Sequence, residues 1–253
     1  MKRFRTKSVF RSNVMCGLAV VLLIFAFTQP VGAQGSSEEF WPSAKLTLEL
    51  WPRTAVQVLG EKQSSDDISR TQRKLSVIGS YRVRRIVSVL EGDIDEEKNH
   101  QLVLAGGYEY LDTDDSGKFK EENRLVVQGT PNYAFSPLKL LIQDRNRIEF
   151  RWVSGTYSTR YRNKLTLERP LKSGQFRISP YTSGELFHDG QHKSWNENQY
   201  AFGLIWPFKK MLSVDAYYLR QNCTTCKETH VNAVGVTVTI FWKLLRKKRN
   251  TRK

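Results

Sequence analysis

Between Asp144 and Glu168, charged and apolar side chains alternate residue by residue. Arg145, Arg147, Glu149 and Arg151 fall on one parity, with Ile148, Phe150 and Trp152 on the other. After Val153-Ser154-Gly155-Thr156 the alternation resumes, Arg160, Arg162, Lys164, Thr166 and Glu168 against Tyr161, Leu165 and Leu167. A period of two is that of an extended strand, here with one charged and one apolar face. Two architectures accommodate such strands. A soluble sandwich turns the apolar face to a core, whereas a membrane barrel turns it to lipid and keeps the polar face for the lumen.

The chain has 253 residues, enough for one large β domain. Its first 33 residues read as a secretory signal peptide. Lys2, Arg3, Arg5, Lys7 and Arg11 form a basic start, Gly17 to Phe27 is apolar, and Val31-Gly32-Ala33 is a small-residue cleavage site. The apolar run is short for a bilayer-spanning helix. No long apolar stretch follows, which excludes a helical membrane protein but not a barrel.

The net charge of +15 is unevenly spread. Segment 1–33 carries five basic residues and no acid, leaving 15 − 5 = +10; the tail Lys243–Lys253 carries seven more, leaving +3 for Gln34–Trp242. The basic balance is therefore mostly a solvated tail, and no nucleic-acid partner is expected. At the periplasmic side of a barrel with an even strand count, that tail would meet peptidoglycan or anionic headgroups. Two cysteines remain after cleavage, Cys223 and Cys226; in an oxidising compartment they are expected to form a local disulfide. A metal site would need further ligands, with His230 the nearest, and no metal or cofactor is expected.

Ten strands are predicted, at roughly 45–59, 73–84, 100–111, 122–130, 138–152, 157–169, 175–187, 198–207, 212–221 and 231–242. Pro52 is placed to bend or split the first. Loops are expected at 60–69, 91–99, 112–120, 188–197 and 222–230. Several strands exceed the usual five or six residues. Aromatics such as Tyr108, Tyr110, Trp152, Tyr157, Trp206 and Trp242 gather near strand ends, as in interfacial girdles. The fold class expected is all-β: an antiparallel up-and-down transmembrane barrel of about ten strands (eight to twelve), in the outer membrane of a Gram-negative bacterium. Three segments result: signal peptide 1–33, barrel 34–242 and basic tail 243–253. A soluble secreted or periplasmic β protein is the alternative.

The block from Asp144 to Trp242 resembles an uncharacterised family of bacterial outer-membrane β-barrels, domain of unknown function number 2490. The resemblance is carried by Arg147-Ile-Glu149-Phe-Arg151, Arg160-Tyr-Arg162, Pro180-Tyr181, Glu185-Leu-Phe187, Asn198-Gln-Tyr200 with Gly203, and Tyr217-Tyr218-Leu219. Over 40–140 only the strand pattern matches. The resemblance implies a barrel and no activity. Trp242 is followed by eleven basic-tail residues, unlike the usual aromatic end of a final barrel strand.

A lumen charge network is expected from Arg147, Glu149, Arg151, Arg160, Arg162, Glu168, Arg177, Glu185 and Asp215. In a barrel of this size the arginines fill the interior, paired with carboxylates. A narrow, anion-selective conduit is the alternative use of the same charges. His188-Asp189 beside Ser183 and Glu185 is the one cluster with the residue types of a hydrolase, without a nucleophile-elbow pattern. Asp112, Asp114, Asp115, Ser116 and Gly117 lack the spacing of a calcium loop. The reading is a non-catalytic structural or interaction barrel. Its expected partners are outer-membrane lipid, lipopolysaccharide and the barrel-assembly machinery; its oligomeric state is open. A lipid-modifying enzyme is a further alternative.

Overall fold

A computed structural model of the chain describes residues 36–65, 70–85, 95–173, 176–209, 211–226 and 228–244. The expected signal peptide and most of the basic tail lie outside the described residues. No described helix is long and apolar enough to cross a membrane, which says nothing of a barrel.

Twelve strands form among the described residues: β1 (Ser36–Trp51), β2 (Thr54–Ser65), β3 (Arg70–Arg85), β4 (His100–Asp115), β5 (Lys118–Phe135), β6 (Leu140–Val153), β7 (Thr156–Glu168), β8 (Leu171–Ser173), β9 (Phe176–Asp189), β10 (Ser194–Lys209), β11 (Leu212–Cys223) and β12 (His230–Lys243). Each pairs with its neighbour in sequence, except that β9 pairs both β7 and β8. The short β8 prolongs the edge of β7 beyond Arg169-Pro170, where proline removes a ladder donor. Eleven strands thus make the closed barrel. In an odd meander the first and last strands run the same way. The seam between β1 and β12 is accordingly parallel, from Ser36↔His230 to Glu49↔Lys243.

The seam departs from two expectations. The barrel is antiparallel at every junction except this seam. The odd count also puts the start of β1 and the end of β12 at opposite ends, so an even count with both termini on one side does not hold. The eleventh strand comes from the predicted segment 45–59, which turns back at Pro52-Arg53 with Trp51 opposite Thr54. The predicted loop at 112–120 is mostly strand. β4 runs to Asp115, β5 starts at Lys118, and only Ser116-Gly117 turns, with φ of 56° and 83°. Left-handed backbone at both positions is what a two-residue hairpin turn requires, and glycine supplies it without strain. Residues 60–65, also expected in a loop, extend β2.

Inside and outside follow from strand parity. Outward positions carry exposed Leu75, Val77, Leu104, Leu125, Val127, Ile148, Phe202 and Val234. Inward positions divide by side of the barrel. Across β1, β10, β11 and β12, Trp41, Ala201, Leu219, Val231 and Ala233 pack as a small apolar cluster with Tyr217. Across β4 to β9 the inward positions carry a dense set of charged side chains among neutral ones such as Leu111, Val126, Leu141 and Phe187, and this wall is the candidate site.

Candidate functional site

Glu149 on β6 is fully buried and sits at the centre of the ionic wall. Arg147 on the same strand reaches it at 2.8 Å, and Arg160 and Arg162 on β7 at 2.8 and 3.0 Å. The register explains the convergence. Glu149 lies opposite Arg160, and Arg147 opposite Arg162, on the same face of two adjacent strands. The network spreads in both directions from there. Glu185 on β9 accepts from Arg145 and Arg162 at 2.8 Å each. Glu122 on β5 accepts from Arg124 at 2.6 Å and from Arg151. Glu109 on β4 accepts from Arg147. The buried ring of Phe187 lies under the guanidinium groups of Arg162 and Arg160, 4.5 and 5.4 Å from its centroid. Six arginines thus share four carboxylates at hydrogen-bonding distance. Bidentate geometry suits arginine to this use, because its planar fork loses little freedom per bond formed.

Of the nine residues named from the sequence, Arg147, Glu149, Arg151, Arg160, Arg162 and Glu185 lie together in this wall. Glu168 is buried apart from them and pairs with Lys98 at 2.7 Å. Asp215 on β11 accepts a bond from the Tyr181 hydroxyl at 3.2 Å. Arg177 shares the inward parity but lies on the short β8–β9 ladder opposite Lys172. Sequence reasoning left Glu109, Glu122, Arg124, Arg145 and Lys98 out of the network, although Arg145 shares the parity of Arg147. Glu122 and Arg124 carry the same alternating signal as β6, on a segment predicted only loosely. Between Gln101 and Thr113, Glu109 stands alone as an acid among the neutral inward residues of β4, so no alternating charge marks it. Lys98 had no signal, since it belongs to a connection.

Part of that connection crosses one end. Just before β4 lies a 3-10 turn, Glu96–Asn99, capped by the Asp95 side chain on Glu97 N–H. Lys98 points inward to Glu168 on β7. Glu97 accepts a 2.6 Å bond from Ser80, and its carbonyl accepts from Asn132 at 3.1 Å. Residues 95–99 form a strap tied to β3, β5 and β7. Burial, with Asp95 adding to it, pushes the Glu97 carboxyl up. Burial acts the same way on Glu96, but bonds from Arg85 and Lys243 outweigh it and hold that carboxyl down. Above the strap lies a cavity of about 650 Å³. It extends to the opposite end, where Gln63, Arg70, Lys120 and Gln221 line it beside the Cys223–Cys226 disulfide. We call the two ends the strap end and the cystine end.

The model of the family "Protein of unknown function (DUF2490)" matches residues 38–231. The chain belongs to this family. The match takes in the stretch 40–140 as well as the second half. No curated protein matches the chain.

Three other groups of residues in this DUF2490 barrel do not assemble a site. His188 points outward, edge-on to Trp195 at 5.3 Å, while Ser183 and Glu185 have the opposite parity and point inward. A base and a nucleophile on opposite faces of one strand cannot share a proton. Asp114 accepts from the Gly117 N–H at 2.9 Å within the tight turn, so its carboxylate shapes the hairpin. Glu197, Cys223 and Cys226 bring three potential ligand atoms within 4.8 Å, yet the two sulfurs are bonded to each other. His230 turns to Asn222 at 2.9 Å instead of joining them.

Proposed function

We propose that this DUF2490 chain is an integral outer-membrane barrel of a Gram-negative envelope, with a non-catalytic structural or interaction role. The observation that carries this reading is the polarity of the wall. Large apolar side chains stand exposed on the outer faces of nearly every strand, while Arg147, Glu149, Glu168 and Glu185 are buried inside. In water such an outer surface would far exceed the few hundred Å² of contiguous apolar patch that soluble proteins tolerate. In a bilayer it is the required arrangement. Outward aromatics support it, with Phe119, Trp152, Tyr157 and Trp195 towards the cystine end and Tyr133, Phe135, Trp206 and Trp242 towards the strap end. Such rings favour headgroup depth. Residues 1–33 would then be the signal peptide that directs export, and the partners would be lipid, lipopolysaccharide and the assembly machinery.

A second reading, a narrow conduit, draws on the polar cavity. The strap argues for a blocked or gated state at rest. Fractionation of the native envelope, followed by gel mobility of unheated and boiled samples, tests the first reading. Outer-membrane enrichment with a heat-dependent shift is expected. A soluble periplasmic protein without a shift would overturn it. Planar-bilayer recordings test the second reading, with little or no conductance expected while the strap is docked.

A further inference from the structure

The outward face carries polar groups in more than one place. Asn198, Arg220, Asn222, His230 and Asn232 join one another or Tyr218 towards the cystine end of β10 to β12, and Asn123 accepts from Tyr108. An island on β6 and β7 lies nearer the middle of its strands. Asn146 is the seventh of fourteen residues of β6, and Asn163, directly opposite it, the eighth of thirteen of β7. Asp144 lies two residues along on the same outward parity. At the middles of the other described strands the outward residues are mostly apolar, aromatic or glycine, such as Val77, Gly106, Val127, Phe202, Ala216 and Val236, with hydroxyls on Thr182, Tyr108, Tyr200 and Tyr218 and no carboxylate or amide. If the apolar face meets lipid, a carboxylate and two amides stand in the hydrocarbon belt.

The island is partly satisfied within itself. Asn163 Nδ2 donates to Asp144 Oδ1 at 2.6 Å and to Asn146 Oδ1 at 3.2 Å. The Tyr161 hydroxyl donates to Asn146 Oδ1 at 2.5 Å, and Asn146 Nδ2 donates to the Asp144 carbonyl at 3.3 Å. Capacity remains on both sides of the ledger. Asp144 Oδ2 and Asn163 Oδ1 accept no bond among the described residues, and the second hydrogen of Asn146 Nδ2 has no acceptor. An unused donor beside unused acceptors is a self-complementary arrangement, as a two-fold interface demands. Gly129 lies directly opposite Asn146 on the other flank, and a side chain there would meet only Leu104 at 3.9 Å. The surface beside the island is therefore flat, and a second backbone can approach it. Polar side chains of this kind join membrane segments because lipid offers them no partner, and small residues beside them permit close contact.

We infer that the β6–β7 face pairs two copies of this chain within the membrane. Asn146 of each copy donates to the Asp144 carboxylate of the other, which gives two reciprocal bonds. The inference rests on the membrane reading above. The test is the oligomeric state of the full mature chain, refolded into phosphatidylcholine vesicles and measured by single-molecule photobleaching at matched protein-to-lipid ratios. Wild type is expected to be dimeric. Asp144→Leu with Asn146→Leu is expected to lower the association constant by about tenfold or more, while keeping the heat-dependent gel shift of a folded barrel. Asp144→Asn keeps an acceptor without the charge and is expected to remain dimeric.

A folded, inserted but monomeric wild type overturns the pairing. So does a double variant as dimeric as wild type. Loss of the dimer on Asp144→Asn overturns it as well, because the charge would then matter more than the hydrogen bond. That result would point to a cation on an unlike partner. A chain that neither inserts nor shifts overturns the membrane reading itself.

Discussion

Replacing Glu149 with Gln removes the charge on which the ionic wall converges and keeps the side chain's shape. The carboxylate has no exposed surface and takes close contacts from Arg147, Arg160 and Arg162, with Arg124 at 3.9 Å. Six arginines share four carboxylates, so the local balance moves from 6 − 4 = +2 to 6 − 3 = +3. Asp189 and Glu197 stand off at 3.8 and 3.9 Å and compensate little. Breaking a buried ion pair by removing one partner costs about 3–5 kcal/mol, because the other charge stays buried and unpaired. Arg160 and Arg162 retain 12% and 17% of their side-chain exposure and can recruit lumen water. The cost should therefore fall to roughly 2–4 kcal/mol. Urea unfolding of the refolded barrel in lipid vesicles, followed by tryptophan fluorescence, reads this as a lower midpoint at unchanged slope. Glu197→Gln is the comparison, since that carboxylate meets Arg160 only at 3.9 Å and should cost below about 1 kcal/mol. Equal losses from the two substitutions would refute the argument, because Glu149 would then be no more than one of many interchangeable lumen charges.

The remaining predictions concern the strap and the closeness of the strands. Lys98→Ala leaves buried Glu168 without its 2.7 Å partner; larger or more frequent conductance steps in planar bilayers are expected, and an unchanged trace would mean that the strap is not the closure. Because the folded pKa of Glu97 is raised, its contribution to docking is full below the ordinary carboxylate range and is lost as pH rises through the raised value. Hydrogen exchange over 95–99 should accordingly quicken as pH rises, after correction for the intrinsic rate, and Glu97→Gln should flatten the trend. Gly107→Ala would put a Cβ 2.2 Å from the Val77 carbonyl oxygen and 2.7 Å from Ile78 Cα, both backbone atoms of the neighbouring strand. It should cost about 3 kcal/mol or prevent formation of the heat-shifted form. Gly60→Ala, with nothing within 4 Å, should change the urea midpoint little.

How far the sequence reveals this molecule depends on whether an interaction has a period. The alternation of β6 and β7 places Arg147, Glu149, Arg160 and Arg162 on one face because side chains two residues apart must share it. Neighbouring strands in a meander then bring those faces together without further information. Pro52 marked the extra turn as a residue that removes a ladder donor and fixes φ, although Pro42, Pro131, Pro180 and Pro207 lie within strands. The parallel seam is different. It follows from whether the strand count is odd, so one unrecognised hairpin changes the relation of the two barrel ends. A short turn such as Pro52-Arg53 or Ser116-Gly117 leaves only two residues of evidence.

The strap and the outward island escaped for opposite reasons. Lys98 lies in a connection, where neither period nor length fixes a direction, and its partner Glu168 is 70 residues away. Only the folded barrel makes that pair, and the closure proposed for the lumen rests on it. Asp144 and Asn146 lie within the same alternating stretch, on the parity opposite the arginines of β6. Their meaning depends on what lies outside the barrel. On a soluble protein an Asp and two Asn at a surface need no explanation. Set among Ile148, Leu165 and Leu186, all exposed, they interrupt an apolar belt near its middle. The two questions left by the fold therefore converge on β6 and β7. One face of this strand pair holds the lumen charges whose balance sets stability, and the other holds the polar contact proposed to join two barrels. A substitution that alters pairing should leave the lumen network intact, because the two faces share a backbone but no side-chain bond.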